Sequence, residues 1–360
     1  MTRNILILGA SYGSLLATRL LMAGHSVTLV CTRGTADLIN REGTRVGFPV
    51  RGVEGLVEVD SRTLPGALCA STPDRVDPAS FDLVVLGMQE AQYGADGVRG
   101  LMARIAASRR PCLAIMNMPP LPYLERIGGL DIAALGSCYT DPSVWQGFDP
   151  SLVTLASPDP QAFRPADRTK NVLQVGLPTN FKAARFDSGE HTALLREFEA
   201  DIDRSRLMHD GVELELPVRL KVHESAFVPL AKWPMLIAGN YRCIRPGGMV
   251  PIREAVHGSV RDSREVYDWV AGLCIRLGAA PSDLVPFEKY AAAAAGLGKP
   301  SSAARALAAG ARQIERVDSL VQCIGRQYGR QSATLSHTVA LVDERLRANH
   351  EGLIEEAVAA

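Results

Sequence analysis

The sequence predicts an α/β domain followed by an all-α helical domain. Two observations lead to this fold class. Apolar strand-like runs alternate with helical segments in the first half of the chain, and helical periodicity takes over in the second half. We expect the first domain to span 1–210 and the second to span 211–360, with the functional site in the cleft between them.

The beginning of the chain reads as a strand over 4–8, a glycine turn, a helix over 15–24 and a second strand over 25–30. This βαβ pattern is typical of the Rossmann fold, in which the turn and the helix N-terminus hold the pyrophosphate of a dinucleotide. The full G-x-G-x-x-G motif would also place glycine at 11 and 14, where this chain has serine. A flavodoxin-like turn without a cofactor is the alternative. The predicted cofactor-binding residues of the turn are Gly9, Ala10, Ser11, Tyr12, Gly13 and Ser14.

The end of the second strand favours NADP(H) over NAD. NAD-specific sites place Asp or Glu there to bind the ribose, whereas this strand runs into Thr32 and Arg33 with no acid before Asp37. Threonine and arginine can bind a 2′-phosphate that a carboxylate would repel. We therefore add Thr32 and Arg33 to the predicted cofactor site. The alternative is that Arg33 is a solvated loop residue.

The remaining elements follow from local pattern. Apolar runs at 82–88 and 111–117 are typical of buried parallel strands, and residues 98–108 between them have helical spacing. The segment 136–184 is predicted to be the far edge of the same domain, with a strand over 171–176 among extended loops. The predicted helices after this point span 192–207, 224–243, 259–277, 301–328 and 332–350.

Composition excludes several function classes. Lys plus Arg and Asp plus Glu both number 39, so no net charge attracts nucleic acid or an anionic membrane, and no apolar run is long enough to span a bilayer. The chain opens directly on its first strand, so we expect no signal peptide. The seven cysteines and seven histidines lack metal-ligand spacing, and no C-x-x-C pair occurs. We therefore expect no metal, no disulfide framework and a cytoplasmic protein.

Three further segments share their order and spacing with a known family. Asn117 ends the run at 111–117, Lys232 and Asn240 lie eight residues apart, and Ser302 is followed by Glu315. These segments resemble the ketopantoate reductase (2-dehydropantoate 2-reductase) family, with the chain as a divergent member. The resemblance implies an NADP-binding Rossmann-type domain and a helical, 6-phosphogluconate dehydrogenase C-terminal-like domain for substrate binding and dimerisation. It also implies an NADP-dependent oxidoreductase that reduces a small 2-keto acid to a 2-hydroxy acid.

The resemblance assigns roles to five residues. Lys232 would be the general acid, and Glu315 would bond the substrate hydroxyl. Asn240 would contact the substrate, and Ser302 would meet its carboxylate. Asn117 would lie near both the nicotinamide and the substrate. The residue types also allow other interpretations: Lys232 snorkelling at a helix end, Asn240 and Glu315 capping helices or facing solvent, and Ser302 as the N-cap of its helix.

The chain departs from the family pattern at several positions. Leu236 stands where the family has its first helix asparagine, and Met118 stands where it usually has glycine. Pro229 and Pro234 flank Lys232, and proline disfavours a regular helix. The departures leave two alternative functions open. One is an opine-type dehydrogenase that reduces an imine on the same architecture, and the other is a catalytically inactive NADP-binding regulator.

Overall fold

The computed structural model describes the backbone of residues 1–359 and the side chains of residues 1–352. The chain forms two compact units. The first comprises Met1–Met88, Gln92–Arg126 and Ser143–Pro229, and the second comprises Gln89–Ala91, Ile127–Pro142 and the chain from Leu230 onward. The chain therefore enters the second unit twice before it passes into it for good after Pro229. The division at 210 and 211 stays a prediction.

The first unit is built on two sheets. The eight-stranded sheet contains β1 (Asn4–Leu8), β2 (Ser26–Val30), β5 (Leu68–Ser71), β6 (Leu83–Leu86), β7 (Cys112–Ile115), β8 (Val153–Ser157), β11 (Phe181–Ala184) and β14 (Leu220–His223); the four-stranded sheet contains β3 (Arg45–Pro49), β4 (Leu56–Asp60), β9 (Gln161–Phe163) and β10 (Val172–Leu177). The first unit also has a short hairpin of β12 (Leu207–His209) with β13 (Val212–Leu214), and the second unit has a hairpin of β15 (Ile244–Arg245) with β16 (Gly248–Met249).

The eight-stranded sheet has the order β14-β11-β8-β7-β6-β1-β2-β5, and the strands from β8 to β5 in this order run parallel. Leu8 of β1 lies opposite both Val30 of β2 and Leu86 of β6. The loops after these strands therefore leave the sheet at one edge. The chain proceeds from β1 to β2 on one side and returns to β6 on the other, so β1 marks the topological switch point at which such sheets bind ligands.

The four-stranded sheet has the order β4-β3-β10-β9 and packs on the same core as β1 and the first helix. The predicted strand over 171–176 is present as β10, but it lies in this second sheet; β8, β11 and β14 form the far edge of the main sheet instead. The reason is that β10 pairs in parallel with β3, and Leu173 and Val175 of β10 join the core that contains the buried Val46 and Phe48.

The helices occupy both units. They are α1 (Gly13–Met22), α2 (Arg33–Glu42), α3 (Val98–Ser108), α4 (Leu121–Leu124), α5 (Ile132–Leu135), α6 (Gly189–Arg204), α7 (Trp233–Met235), α8 (Ile252–His257), α9 (Val260–Leu277), α10 (Phe287–Ala294), α11 (Ser302–Ala308), α12 (Val317–Gln327) and α13 (Ala333–Ala359). The predicted α/β half and helical half are both present. Within the described residues, no helix is long and apolar enough to cross a membrane.

Two of the predicted helices are wrong as continuous elements. The segment 224–243 contains a 3₁₀ turn (Pro229–Lys232), α7, a π-helical turn (Leu236–Asn240) and a second 3₁₀ turn (Tyr241–Cys243). Proline lacks the N–H that a continuous helix would need. The segment 301–328 divides into α11 and α12 because Gly310, at a φ of +85°, ends α11. The amide of Ala311 then donates to the carbonyl of Ala306 at 2.9 Å, as in a Schellman motif.

Candidate functional site

The glycine turn follows β1 and is tightly enclosed. Gly9 has a φ of +100°, and a Cβ on it would lie 2.8 Å from the carbonyl oxygen of Gly87, the residue after β6. A Cβ on Gly13 would lie 2.7 Å from the Cγ2 of Ile7. Both glycines are therefore required by the close approach of backbone and core, which the other two motif positions do not impose. Gly87 supplies the carbonyl that Gly9 approaches, and the sequence signal for it is a glycine directly after an apolar strand.

The environments of Ser11 and Ser14 show why serine fits at the other two glycine positions of the motif. Ser11 is exposed at the tip, and the buried Ser14 turns its hydroxyl back to donate to the carbonyl of Ala10 at 2.5 Å. Within the described chain, the backbone N–H groups of Ala10, Ser11, Tyr12 and Gly13 donate to no protein acceptor, and the first turn of α1 has no acidic residue. Open N–H groups at a helix N-terminus fit the pyrophosphate of a dinucleotide.

The side chain of Tyr12 connects the turn to the β9 end of the second sheet. Its hydroxyl donates to the carbonyl of Pro160, just before β9, and its ring packs edge-on against Phe181 with centroids 5.7 Å apart. Burial raises the pKa of this hydroxyl well above its usual range. Because the side chain is engaged in this way, Tyr12 offers a ligand its backbone N–H.

Two cationic side chains lie near the end of β2. Thr32 is the N-cap residue of α2, with its hydroxyl 3.1 Å from that of Thr35, and Arg33 is exposed beside it. Arg164, which follows β9, lies near Cys31; burial raises the pKa of the Cys31 thiol to about 11, and the charge of Arg164 opposes this rise. Sequence reasoning missed Arg164, because no local pattern places it near β2.

Asn117 lies two residues beyond the end of β7, at the same edge of the sheet as the glycine turn. It is partly exposed. The first unit therefore brings the predicted cofactor residues and Asn117 to the carboxyl ends of neighbouring parallel strands, which is the usual ligand edge of such sheets.

The second unit contains Lys232, Asn240, Ser302 and Glu315. Lys232 is partly buried and immediately precedes α7. Asn240 ends the π-helical turn, a rare structure that is frequent at functional sites. Gly239 lets the Tyr290 side chain pack closely against this turn, since a Cβ there would lie 2.0 Å from the hydroxyl oxygen of Tyr290.

The segment around Ser302 is connected directly to Asn240. The hydroxyl of Ser301 donates to the carbonyl of Asn240 at 2.6 Å and accepts from the amide of Ala304 at 3.2 Å. The N-cap of α11 is therefore Ser301, and the interpretation of Ser302 as the N-cap is wrong by one residue. Ser302 is the exposed first residue of the helix, so its hydroxyl is not used as a cap.

The segment around Glu315 is connected to the residue after Asn240. The buried hydroxyl of Tyr241 donates to the carbonyl of Glu315 and accepts from the amide of Val317 at 3.1 Å. Burial raises the pKa of Tyr241 well above its usual range, so the hydroxyl keeps its proton. Through Ser301 and Tyr241, the second unit brings three of the predicted segments together at the end of the π-helical turn.

An ion-pair network fixes the start of α12 beside Glu315. Arg316 makes two bonds of 3.0 Å to the fully buried carboxylate of Asp318, and it lies 2.7 Å from a carboxylate oxygen of Asp343. A buried carboxylate without a partner would cost several kcal/mol, about 3–5 in measured cases. The network therefore holds this helix start in one conformation.

The second unit adds residues that sequence reasoning missed. Glu90 is 2% exposed and accepts hydrogen bonds from the hydroxyl and amide of Thr140 at 2.9 Å and 3.1 Å. Burial raises the pKa of Glu90, and these bonds oppose the rise. Burial also raises the pKa of Tyr139, together with the carboxylates of Glu90 and Glu315 near it. No spacing motif marks these residues, since 89–91 and 127–142 are far from the helical half in sequence.

No family model matches the sequence, and no curated protein matches it significantly. Among the described residues, no group of three or more His, Cys, Asp or Glu is placed to hold a metal ion. The fold itself defines a class: a Rossmann-type, mostly parallel sheet with helices, joined to a helical C-terminal region.

Solved structures make the fold more specific. The chain is similar to 2-dehydropantoate 2-reductase from Methylococcus capsulatus, at 15% identity and a TM-score of 0.66 over 96% of this chain and 97% of that one. It is also similar to a D-mandelate dehydrogenase bound to NADH and anilino(oxo)acetate, at 14% identity and a TM-score of 0.64 over 96% and 99% of the chains. A dimeric ketopantoate reductase from Staphylococcus aureus matches at 8% identity and a TM-score of 0.58 over 96% and 99%. The chain thus has a ketopantoate reductase-like fold, which confirms the fold that the sequence resemblance implies.

Proposed function

We propose that this chain is an NADPH-dependent reductase that converts a small 2-keto acid, similar to ketopantoate, into a 2-hydroxy acid. One observation carries the proposal. The segments of Lys232, Asn240, Ser302 and Glu315, widely separated in sequence, are connected through Ser301 and Tyr241 in the second unit. The two kinds of keto-acid enzyme that share this fold support the same general reaction.

The glycine turn supports a nicotinamide dinucleotide as the cofactor. Its open N–H groups suit a pyrophosphate, and Arg33 with Arg164 supplies positive charge near the end of β2. A 2′-phosphate needs that charge, whereas a plain ribose does not. This is the basis for proposing NADPH, even though the structure of the D-mandelate dehydrogenase of the same fold contains NADH.

The chemistry that bound NADPH supplies is a hydride for the carbonyl carbon. Lys232 would donate its Nζ proton to the carbonyl oxygen and stabilise the negative charge that develops there. Glu315 would accept a hydrogen bond from the substrate hydroxyl. Asn240 would contact the substrate and Ser302 would meet its carboxylate, both through neutral hydrogen bonds, and Asn117 would lie near the nicotinamide and the substrate. The homodimer stays a prediction, supported by the dimeric Staphylococcus aureus enzyme of the same fold.

Replacing Lys232 tests this proposal. We expect Lys232→Ala to lower kcat for keto-acid reduction by about 100- to 10,000-fold, the usual contribution of a general acid, and to leave the Kd for NADPH unchanged. The measurement is NADPH oxidation over a panel of small 2-keto acids, with Kd from fluorescence titration. Lys289→Ala, which removes an exposed lysine of the same unit, is the control and should keep full activity. Titration of the unaltered protein should give a Kd for NADPH about tenfold below that for NADH.

Three outcomes would contradict the proposal. Full turnover by Lys232→Ala would remove the assigned acid. Turnover that requires an added amine would identify an imine reductase of the opine type. Binding of NADPH without turnover of any carbonyl substrate would identify a regulator.

A further inference from the structure

Two cysteines of the second unit are in direct contact. Cys138 ends the 3₁₀ turn Gly136–Cys138, and its thiol is in hydrogen-bond contact with that of Cys323 on α12. Ser319, one helical turn before Cys323, places its hydroxyl oxygen 3.6 Å from the Cys138 sulfur. Residues four apart share one face of a helix, so Ser319 and Cys323 together form the surface on which Cys138 rests. Both cysteines are free thiols in this structure.

The two thiols differ in solvent exposure and in the direction of their pKa shifts. Cys138 is 4% exposed, whereas Cys323 is partly exposed. The hydrogen bond from Cys138 lowers the pKa of Cys323, and the positive charges of Arg326 and Arg316 lower it further. The pKa of Cys138 is raised, first by this neighbour and then by burial. The greater exposure and the lowered pKa of Cys323 favour its thiol over that of Cys138 as the one that reacts first.

Other cysteines of the chain lack this environment. Burial raises the pKa of Cys112 and of Cys274 to about 12 each, and burial also raises the pKa of Cys243. A thiol held protonated in an apolar core is inert. Within the described residues, Cys323 differs from these buried cysteines because its pKa is lowered and a second thiol, that of Cys138, is its hydrogen-bond partner.

We propose that Cys138 and Cys323 are a reversible disulfide site, oxidised by hydroperoxides and reduced by low-molecular-weight thiols. The two thiols are already hydrogen-bond partners, and the disulfide requires their sulfur atoms to approach to a bond length of about 2.05 Å. The bond would join the turn before Tyr139 to the helix that begins beside Glu315. The inference does not rest on the proposed reductase function.

Hydrogen peroxide is the oxidant in this reaction, and no protein-bound cofactor is needed. The Cys323 thiolate attacks one oxygen of hydrogen peroxide; the O–O bond breaks, hydroxide leaves, and Cys323 becomes a sulfenic acid. The Cys138 sulfur then attacks the Cys323 sulfur, the S–O bond breaks, and the thiol proton of Cys138 leaves with the hydroxide as water. The two sulfurs lose two electrons and the peroxide gains them. A thiol reductant reverses the change by thiol–disulfide exchange.

Mass spectrometry of the full-length protein tests the site. The reduced protein is treated with equimolar hydrogen peroxide at pH 7, alkylated and digested without reductant. We expect one linked peptide pair, containing Cys138 and Cys323, which disappears after treatment with dithiothreitol. We also expect Cys323 to react about tenfold faster than the exposed Cys69, because the Cys138 thiol and the charges of Arg326 and Arg316 stabilise the thiolate of Cys323.

Variants separate the two roles. Cys138→Ala should leave a sulfenic acid on Cys323 that a dimedone-type probe traps, and Cys323→Ser should abolish both the probe adduct and the linked peptide. Cys69→Ser is the matched control and should form the disulfide as the unaltered protein does. Absence of the linked pair in the unaltered protein, or pairing with Cys69 instead, would overturn the inference even if a variant failed to fold.

Discussion

The two units form their candidate sites from different parts of the chain. In the first unit, the candidate site consists mainly of backbone groups. The turn from Gly9 to Ser14 has open N–H groups, and its two glycines let it lie close to β6 and Ile7. In the second unit, side chains such as Tyr241 and Ser301 connect segments that are far apart in sequence. A backbone site is fixed by conformation and tolerates many side chains, whereas a side-chain site depends on each hydrogen bond. Substitutions in the two units should therefore fail in different ways.

Among the substitutions that compare the two units, the largest effect is expected at Gly9. Gly9→Ala adds a Cβ 2.8 Å from the Gly87 carbonyl at a φ of +100°, which costs about 1–3 kcal/mol in backbone strain alone. We expect the affinity for NADPH to fall about tenfold or more, measured by fluorescence titration, with a lower Tm. Gly24→Ala is the matched control, since Gly24 also has a positive φ but has nothing within 4 Å of its Cβ position. Equal loss of affinity in both variants would mean that the close approach to Gly87 does not matter.

A smaller effect should separate two tyrosine hydroxyls. Tyr241→Phe leaves the Glu315 carbonyl and the Val317 amide without this partner, which costs about 1–3 kcal/mol. We expect kcat/KM for the keto acid to fall severalfold with an unchanged Kd for NADPH. Tyr12→Phe removes the bond to Pro160 and should weaken NADPH binding severalfold without changing the KM for the keto acid. If both variants changed the same constant, the assignment of NADPH binding to the first unit and of keto-acid turnover to the second would be wrong.

The smallest effect should distinguish neighbouring serines. Ser301→Ala removes the N-cap of α11 and the bond to Asn240, so the free energy of unfolding should fall by about 0.5–2 kcal/mol. Ser302→Ala removes an exposed hydroxyl and should change stability by less than about 0.5 kcal/mol while raising the KM for the keto acid. Urea denaturation and steady-state kinetics measure the two effects. An unchanged KM in Ser302→Ala would exclude Ser302 as a substrate contact.

The first unit was largely predictable because its signals are local. The helix predicted over 98–108 is present as Val98–Ser108, and the opening strands lie within a residue of their expected limits. The four-stranded sheet was not predicted, since the pairing of Arg45 with Val172 joins segments far apart in sequence. Hydrophobic alternation in β3 and β4 was its one local signal.

The second unit was less predictable because its connections are tertiary. Family spacing pointed to Lys232, Asn240 and Glu315, but nothing in the sequence predicts that Tyr241 bonds the carbonyl of Glu315. A 3₁₀ turn that begins at Pro229 and a π-helical turn stand where a continuous helix was predicted. The prediction was wrong because it rested on helical periodicity, which takes no account of the N–H that proline lacks. Glu90 and Tyr139 both lie in this unit, where the Glu90 carboxylate helps to raise the pKa of Tyr139, and no spacing motif predicts that they are close together.

The early entries of the chain into the second unit affect the order of folding. Asp131 and Gln327 bond each other twice, the Asp131 amide donating to the Gln327 side chain at 3.0 Å and the Gln327 side chain donating to the Asp131 carbonyl at 3.0 Å. During synthesis, residues 127–142 leave the ribosome long before α12 exists, so they wait without their final partners until the chain is nearly complete. The first unit can assemble earlier. A late stall in translation would therefore leave a folded first unit with an unfinished second unit.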